Sequence, residues 1–191
     1  MKPEQPKLRT QLDRNEWIDG AIEALANDGL AGMCVESLAK QFGVTKGSFY
    51  WHFKDRQDLI NAVLQTWKQG RIGDVDKHGN AVPGKESDQL FQIIEVYGAN
   101  RNRKGISIEL AMRDWARRDP QARAVVDEVD AYRMESARKL FVANGLADDE
   151  AKSRSFMLYA YMLGQSLMAY DRYDQQAVEI KHWIARRIVT D

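Results

Sequence analysis

The chain has 191 residues and 44% hydrophobic content, enough for one ordinary domain or a small domain joined to a larger one, and too much for a disordered polymer. Lys plus Arg equals Asp plus Glu at 28 each, so net charge announces no nucleic-acid partner and any such case must be local. The single cysteine, Cys34, excludes an internal disulfide framework and a multi-cysteine zinc site; with no apolar signal core in the first residues and no apolar stretch near the roughly 20 residues that span a bilayer, the expected setting is cytoplasmic, without a membrane anchor.

The only prolines are Pro3, Pro6, Pro83 and Pro120, and no alternating β-branched run occurs, which predicts an all-α protein. Residues 1–12 are polar, and Lys2, Lys7, Arg9 and the nearby Arg14 outweigh Glu4 and Asp13, as in a flexible basic arm or a plain mobile terminus. Asp13 followed by Glu16 is a capping-box signal, and Ile18, Ala21, Ile22, Leu25 and Ala26 then recur at helical spacing up to Gly29. A second short helix carries Leu38, Ala39 and Phe42 on one side and ends at Gly43. Thr45 is placed to cap a third helix and Asp55 a fourth, which runs through Leu59, Ile60, Val63, Leu64 and Trp67 towards Ile72. Residues 73–86 read as a surface loop, after which helices are expected near 87–101, 106–118, 121–143, 148–171 and 175–189.

The segment "GVTKGSFYWHFKD", residues 43–55, sets five ring-bearing side chains in a row. At 100° per residue, Lys46 and Tyr50 share one stripe with Gly47 and Trp51 beside it, while Phe49 and Phe53 lie on the far side and His52 falls at the border. Two aromatics therefore go inward and two stay out. A face of Lys, Gly, Tyr and Trp, with Thr45 and Ser48 near its start, suits a duplex: the cation and hydroxyls meet phosphates and the rings meet sugars and base methyls. Together with the preceding helix and the turn at Gly43, this forms a helix-turn-helix arrangement. The competing reading is an aromatic cluster buried inside a helical bundle.

Residues 20–64 closely resemble the N-terminal domain of the tetracycline-repressor (TetR) family, through the Gly-Val-Thr-Lys-Gly-Ser turn, the Phe-Tyr-Trp-His-Phe run and the Lys-Asp-Arg-Gln-Asp-Leu entry into the fourth helix. The resemblance implies a three-helix helix-turn-helix domain followed by a larger helical ligand-binding and dimerisation domain, about nine helices in all, and a homodimeric repressor released from a palindromic DNA operator by a small-molecule effector. It places Thr45, Lys46, Gly47, Ser48, Tyr50, Trp51 and His52 along the recognition helix and its start, Lys54 near phosphate, and Val35 and Glu36 where relatives touch the backbone or an outer base. Glu36 is a poor phosphate contact. Cys34 stands where the family usually caps the second helix with Ser or Thr. The organisation expected is an arm at 1–12, the DNA-binding domain at 13–55, a connecting helix at 56–72, a loop at 73–86 and the ligand-binding and dimerisation domain at 87–191.

Residues 156–170 are apolar almost all round their helix, which requires packing on both sides, by the chain's own core and by a second subunit or wholly within a monomer. Ala160, Gly164, Leu167 and Met168, with Val178, Trp183, Ile184 and Ile188 of the last helix, are the expected dimer face. A ligand pocket among the C-terminal helices would draw apolar walls from Trp67, Phe91, Tyr97, Met112, Trp115, Tyr132, Met157 and Tyr161 and polarity from Arg71, Glu109 and Arg113, although such residues also make ordinary core. No cofactor or metal is expected. Gly79, Gly84 and Lys85 match the start of a P-loop, but Glu86 replaces the hydroxyl residue that holds magnesium and no strand precedes; His52, His78 and His182 are too scattered for a zinc motif. The chain therefore does not read as an enzyme. A DNA-bound adaptor without a small-molecule ligand, or an activator, is the alternative to a repressor.

Overall fold

A computed structural model describes residues 12–80, 82–98, 103–168 and 174–190, and within them every regular element is helical. The helices are α1 (Arg14–Asp28), α2 (Val35–Phe42), α3 (Lys46–Tyr50), α4 (Arg56–Gly79), α5 (Glu86–Gly98), α6 (Arg103–Ala116), α7 (Pro120–Ala143), α8 (Asp148–Leu167) and α9 (Asp174–Val189), with a 3₁₀ turn at Gly29–Met33. They group into two compact units, one holding residues up to Gln69 together with Lys104–Val126, the other Gly70–Arg103 and residues from Asp127 onward.

Local signals account for the ends of the first elements. Asp13 accepts from the Glu16 N–H at 2.8 Å while Glu16 accepts from the Asp13 N–H at 2.9 Å, closing the capping box that starts α1. Gly43 stops α2 in the left-handed region at φ 67°, where its N–H reaches the carbonyls of Ala39 and Lys40 and Val44 donates to Ala39. Asp55 accepts from the Asp58 N–H at 2.9 Å at the start of α4, and Asp58 returns a bond to the Lys54 N–H at 3.1 Å. Thr45 occupies the N-cap of α3, but its hydroxyl makes no capping bond.

The fourth helix outruns its expected end. Residues 73–79, expected in a loop, continue α4 to Gly79, because Asp74 pairs with Arg71 at 3.3 Å and with Lys77 at 3.4 Å, and Val75 is buried. Tyr132 of α7 donates to the Asp76 carboxylate at 2.5 Å, tying down this last stretch. Residues 1–11 of the expected arm lie outside the described residues, and Leu12 is buried.

In the first unit, Trp17, Leu25, Met33, Leu38, Phe49, Phe53, Leu59 and Leu64 form fully buried core. Arg56 ties the start of α4 to the 3₁₀ turn, donating to the Met33 carbonyl at 3.1 Å and the Leu30 carbonyl at 3.2 Å. An amide ring of Gln57, Asn61 and Gln121, with bonds of 2.8 to 3.1 Å, fastens α4 to α7. In the second unit, Leu90, Ile93 and Ile94 of α5 pack with Leu140 and Phe141 of α7, Leu158 and Met162 of α8 and Ile188 and Val189 of α9.

Gly20 of α1 lies directly against the Phe42 ring of α2. A Cβ there would sit 2.0 Å from Cζ of Phe42, whose half-buried ring meets Trp17 edge-on at 5.3 Å and would have to be displaced from that contact. Helix propensity alone would favour alanine by about 1 kcal/mol; overpacking costs about 1–3 kcal/mol and decides the sign. Gly20→Ala is expected to lower the urea midpoint without changing the slope of the transition.

Candidate nucleic-acid interface

A helix of five residues does not orient itself, so α3 takes its direction from what its inward side chains touch. Phe49 stacks on Phe53 with ring centroids 5.2 Å apart and meets Trp17 edge-on at 5.4 Å, and both phenylalanines are buried. Arg14 lies over the open face of Phe53 at 4.8 Å and within 3.9 Å of Asp58, which turns this arm-proximal cation onto the domain itself.

With those anchors set, Tyr50 and Trp51 project into solvent with relative exposures of 61% and 80%. Thr45, Lys46, Gly47 and Lys54 are exposed with them, giving a continuous outward arc of cation, open backbone and rings. His52 is half-buried, and its Nε2 is shielded without a hydrogen-bond partner. Two expected contacts turn the other way. Ser48 is buried because it falls on the arc of α3 shared with Phe49, and Val35 is buried because it continues the inward stripe of Leu38 and Ala39 on α2; neither side chain belongs to the outward surface.

Glu36 is exposed at the edge of the same surface and is not idle. Its Oε1 accepts from Lys46 Nζ at 2.5 Å and its Oε2 accepts from the Cys34 thiol at 2.9 Å. The thiol bond and then the ammonium bring its carboxyl down to about 2, and the Glu36 carboxylate in turn raises Lys46, so the pair is ionised at any workable pH. Cys34 thus serves the carboxylate rather than capping α2 with its side chain.

The residues expected to line a ligand pocket divide between the two units. In the first, Trp67, Met112 and Trp115 are buried, the indole N–H groups of Trp67 and Trp115 lack acceptors, and the largely buried Glu109 pairs with Arg113 at 2.8 Å. In the second, Phe91 lines a groove of about 460 Å³ between α5 and α9 with Ile94, Glu95, Val178, Lys181, His182 and Ala185. Arg71 and Tyr161 are half-buried, whereas Tyr132 and Met157 are exposed and wall no interior there; the Tyr97 side chain lies outside the described residues.

On α8, Ala151, Ser155, Leu158, Met162 and Gln165 are buried, leaving Phe156, Met157, Ala160, Leu167 and, just past its end, Met168 exposed. Gly164 and Ile184 are half-buried, and Val178 and Trp183 are exposed on α9. Ile188, expected on this face, points instead into the core of its own unit. Phe156 at 67% and Trp183 at 55% are large apolar groups left to water by the single chain.

The split of aromatic roles sets a direct contrast. Trp51→Ala is expected to leave unfolding free energy within about 0.5 kcal/mol of the parent, whereas Phe49→Ala is expected to cost about 3–5 kcal/mol, both read by urea denaturation.

Residues 18–63 match the family model for bacterial regulatory proteins of the tetR family. The HTH-type transcriptional regulator AcrR of Shigella flexneri is 30% identical over 89 residues, 46% of this chain and 41% of that protein. The class A tetracycline repressor protein from transposon 1721 of Escherichia coli is 28% identical over 108 residues, 56% of this chain and 45% of that protein. The chain therefore spans less than half the length of these curated relatives. Among solved structures, a transcriptional regulator from Saccharomonospora viridis in complex with choline superposes with a TM-score of 0.72 at 14% identity, over 93% of this chain and 96% of that one. The regulator FadR from Bacillus subtilis in complex with stearoyl-CoA gives 0.65 at 16% identity, over 93% and 98%. At these identities the likeness is one of fold.

Proposed function

The chain belongs to the tetR family of bacterial regulatory proteins, and from that premise we propose that it is a homodimeric, DNA-binding transcriptional repressor released from a palindromic operator by a small-molecule effector. The observation that carries the DNA-binding part is the outward arc of Lys46, Gly47, Tyr50 and Trp51 on a helix whose other side is locked into core. Lys54 supplies a phosphate contact, Lys46 brings a cation to the groove, Gly47 lets the groove wall approach, and the two rings lie against sugars and thymine methyls.

Dimerisation is supported by the apolar surface left on α8 and α9, where Phe156, Ala160 and Leu167 offer one ridge and Val178 and Trp183 another. A two-fold axis through such a face makes the interface self-complementary, and the matching sequence is a palindrome whose half-sites lie about one duplex turn, 34–36 Å, or somewhat more apart. The effector reading draws on the two buried indole N–H groups of Trp67 and Trp115 in the first unit, which have no acceptor and which a bound molecule would satisfy. Fold neighbours captured with choline and stearoyl-CoA support an effector of the small organic kind. The α4 helix, which starts at the DNA-binding elements and extends 24 residues, is the lever between effector and operator in this scheme.

Selection of duplexes from a random pool by the wild-type chain is expected to return a palindrome, and Trp51→Ala or Tyr50→Ala to abolish its retention in mobility-shift assays while sedimentation still reports a dimer. Unchanged affinity in both variants would remove the site. Phe156→Asp combined with Trp183→Glu is expected to yield a folded monomer that has lost tight operator binding; a persisting dimer would place the interface elsewhere. An effector at a hundred times its dissociation constant is expected to stabilise the fold by about 2.7 kcal/mol while weakening operator binding; choline and stearoyl-CoA are the first compounds to screen.

A further inference from the structure

We infer that Glu36 and Lys46 act as one specificity-determining unit that reads a single C·G base pair, the carboxylate taking the cytosine amino group and the ammonium the guanine oxygen. The inference rests on the DNA-binding reading above and goes beyond it by assigning the base pair and the residues that choose it.

Glu36 stands exposed on the surface that would meet the duplex, and an anion there is repelled by every phosphate regardless of sequence. Its Oε1 also holds Lys46 Nζ at 2.5 Å, so the cation at the start of α3 is already neutralised before any duplex arrives. On arbitrary DNA the pair is a net penalty, because Lys46 must be pulled from its carboxylate to reach phosphate. Only a base edge that satisfies both charges at once removes that penalty.

The major groove offers such an edge. Cytosine presents the N4 amino group as a donor, and its partner guanine presents O6 and N7 as acceptors, so a C·G pair sets a donor beside an acceptor. An acceptor–donor pair of side chains a hydrogen bond apart is the complement of that edge. Adenine also carries an amino group, but its own N7 acceptor lies next to it and repels a carboxylate. The geometry holds the pair ready: Glu36 is near the start of α2, Lys46 at the start of α3, and the Cys34 thiol takes the far carboxylate oxygen at 2.9 Å, fixing the plane of the group. Tyr50 and Trp51 are exposed at the other end of the same short helix, so a duplex seated on these rings also meets the pair.

The test compares wild type, Glu36→Gln and Lys46→Gln in the full chain, first by duplex selection and sequencing, then by titration of the selected and a scrambled duplex over a range of salt. Wild type is expected to select a C·G pair at one position in each half-site. Glu36→Gln is expected to shift that position to A·T, since a glutamine amide pairs bidentately with adenine. The same variant is expected to bind the scrambled duplex roughly two- to fivefold more tightly, the scale of one exposed ion pair released, with a salt slope steeper by about one contact. Lys46→Gln is expected to lose the C·G preference and to flatten the slope. Melting temperatures of the three chains, measured alongside, separate these effects from unfolding. If Glu36→Gln selects the same bases as wild type with the same salt slope, Glu36 is only a surface anchor for Lys46 and the inference is wrong, while retention of a palindrome that needs Trp51 leaves the DNA-binding reading standing. If wild type retains no duplex at any salt, both fall together.

Discussion

The inward packing of Phe49 and Phe53 is the constraint on which the rest of the molecule's surface chemistry depends. A helix as short as Lys46–Tyr50 has almost no stability of its own and could rotate freely if its anchors were small or polar. Two stacked rings lodged against Trp17 remove that freedom, and the 3.6-residue repeat then dictates that Tyr50 and Trp51 face water. Exposure of a tryptophan costs the chain apolar area it would otherwise bury. The arrangement is intelligible when that area is reserved for another molecule.

Charge is distributed on the same principle of local control. Overall neutrality gives no long-range field to draw a polyanion. The cations near the recognition surface are moreover partly committed within the protein: Arg14 to Phe53 and Asp58, Arg56 to the carbonyls of the 3₁₀ turn, Lys46 to Glu36. Such a surface gains little from non-specific attraction, so under the proposed function a tight complex has to come from shape and base-edge complementarity.

What was legible in the sequence was what is decided within a few residues. The capping box of Asp13 and Glu16, the left-handed stop at Gly43 and the Asp55 cap of α4 each follow from side chains and backbone in immediate reach, and each stands where the pattern placed it. The outward pair Tyr50 and Trp51 was legible because two large anchors set the helix phase. Ser48, chosen for its hydroxyl near the helix start, and Val35, chosen by family position, are both buried on the inward sides of their helices, because helical phase outweighs either criterion. The extension of α4 through residues 73–79 was hidden by glycines whose effect is outweighed by ion pairs and by Tyr132, 56 residues away. Tertiary partners of that kind, including Arg56 with Met33 and Gly20 with Phe42, leave no local trace. Ile188 faces its own core for the same reason: an apolar stripe shows that a face is covered, not by what.

The solvent exposure of the Trp51 indole is the most direct measure of whether α3 presents an outward face. With all five tryptophans replaced by 5-fluorotryptophan and the Trp51 resonance assigned by Trp51→Phe, fluorine NMR in water and in deuterium oxide reports how much solvent each ring meets. The expected result is the largest solvent isotope shift at Trp51 in the free protein and its loss on titration with the selected duplex, while Trp17 shows none in either state. A Trp51 resonance as shielded as that of Trp17 without DNA, or one that does not respond when duplex is bound, would contradict the account.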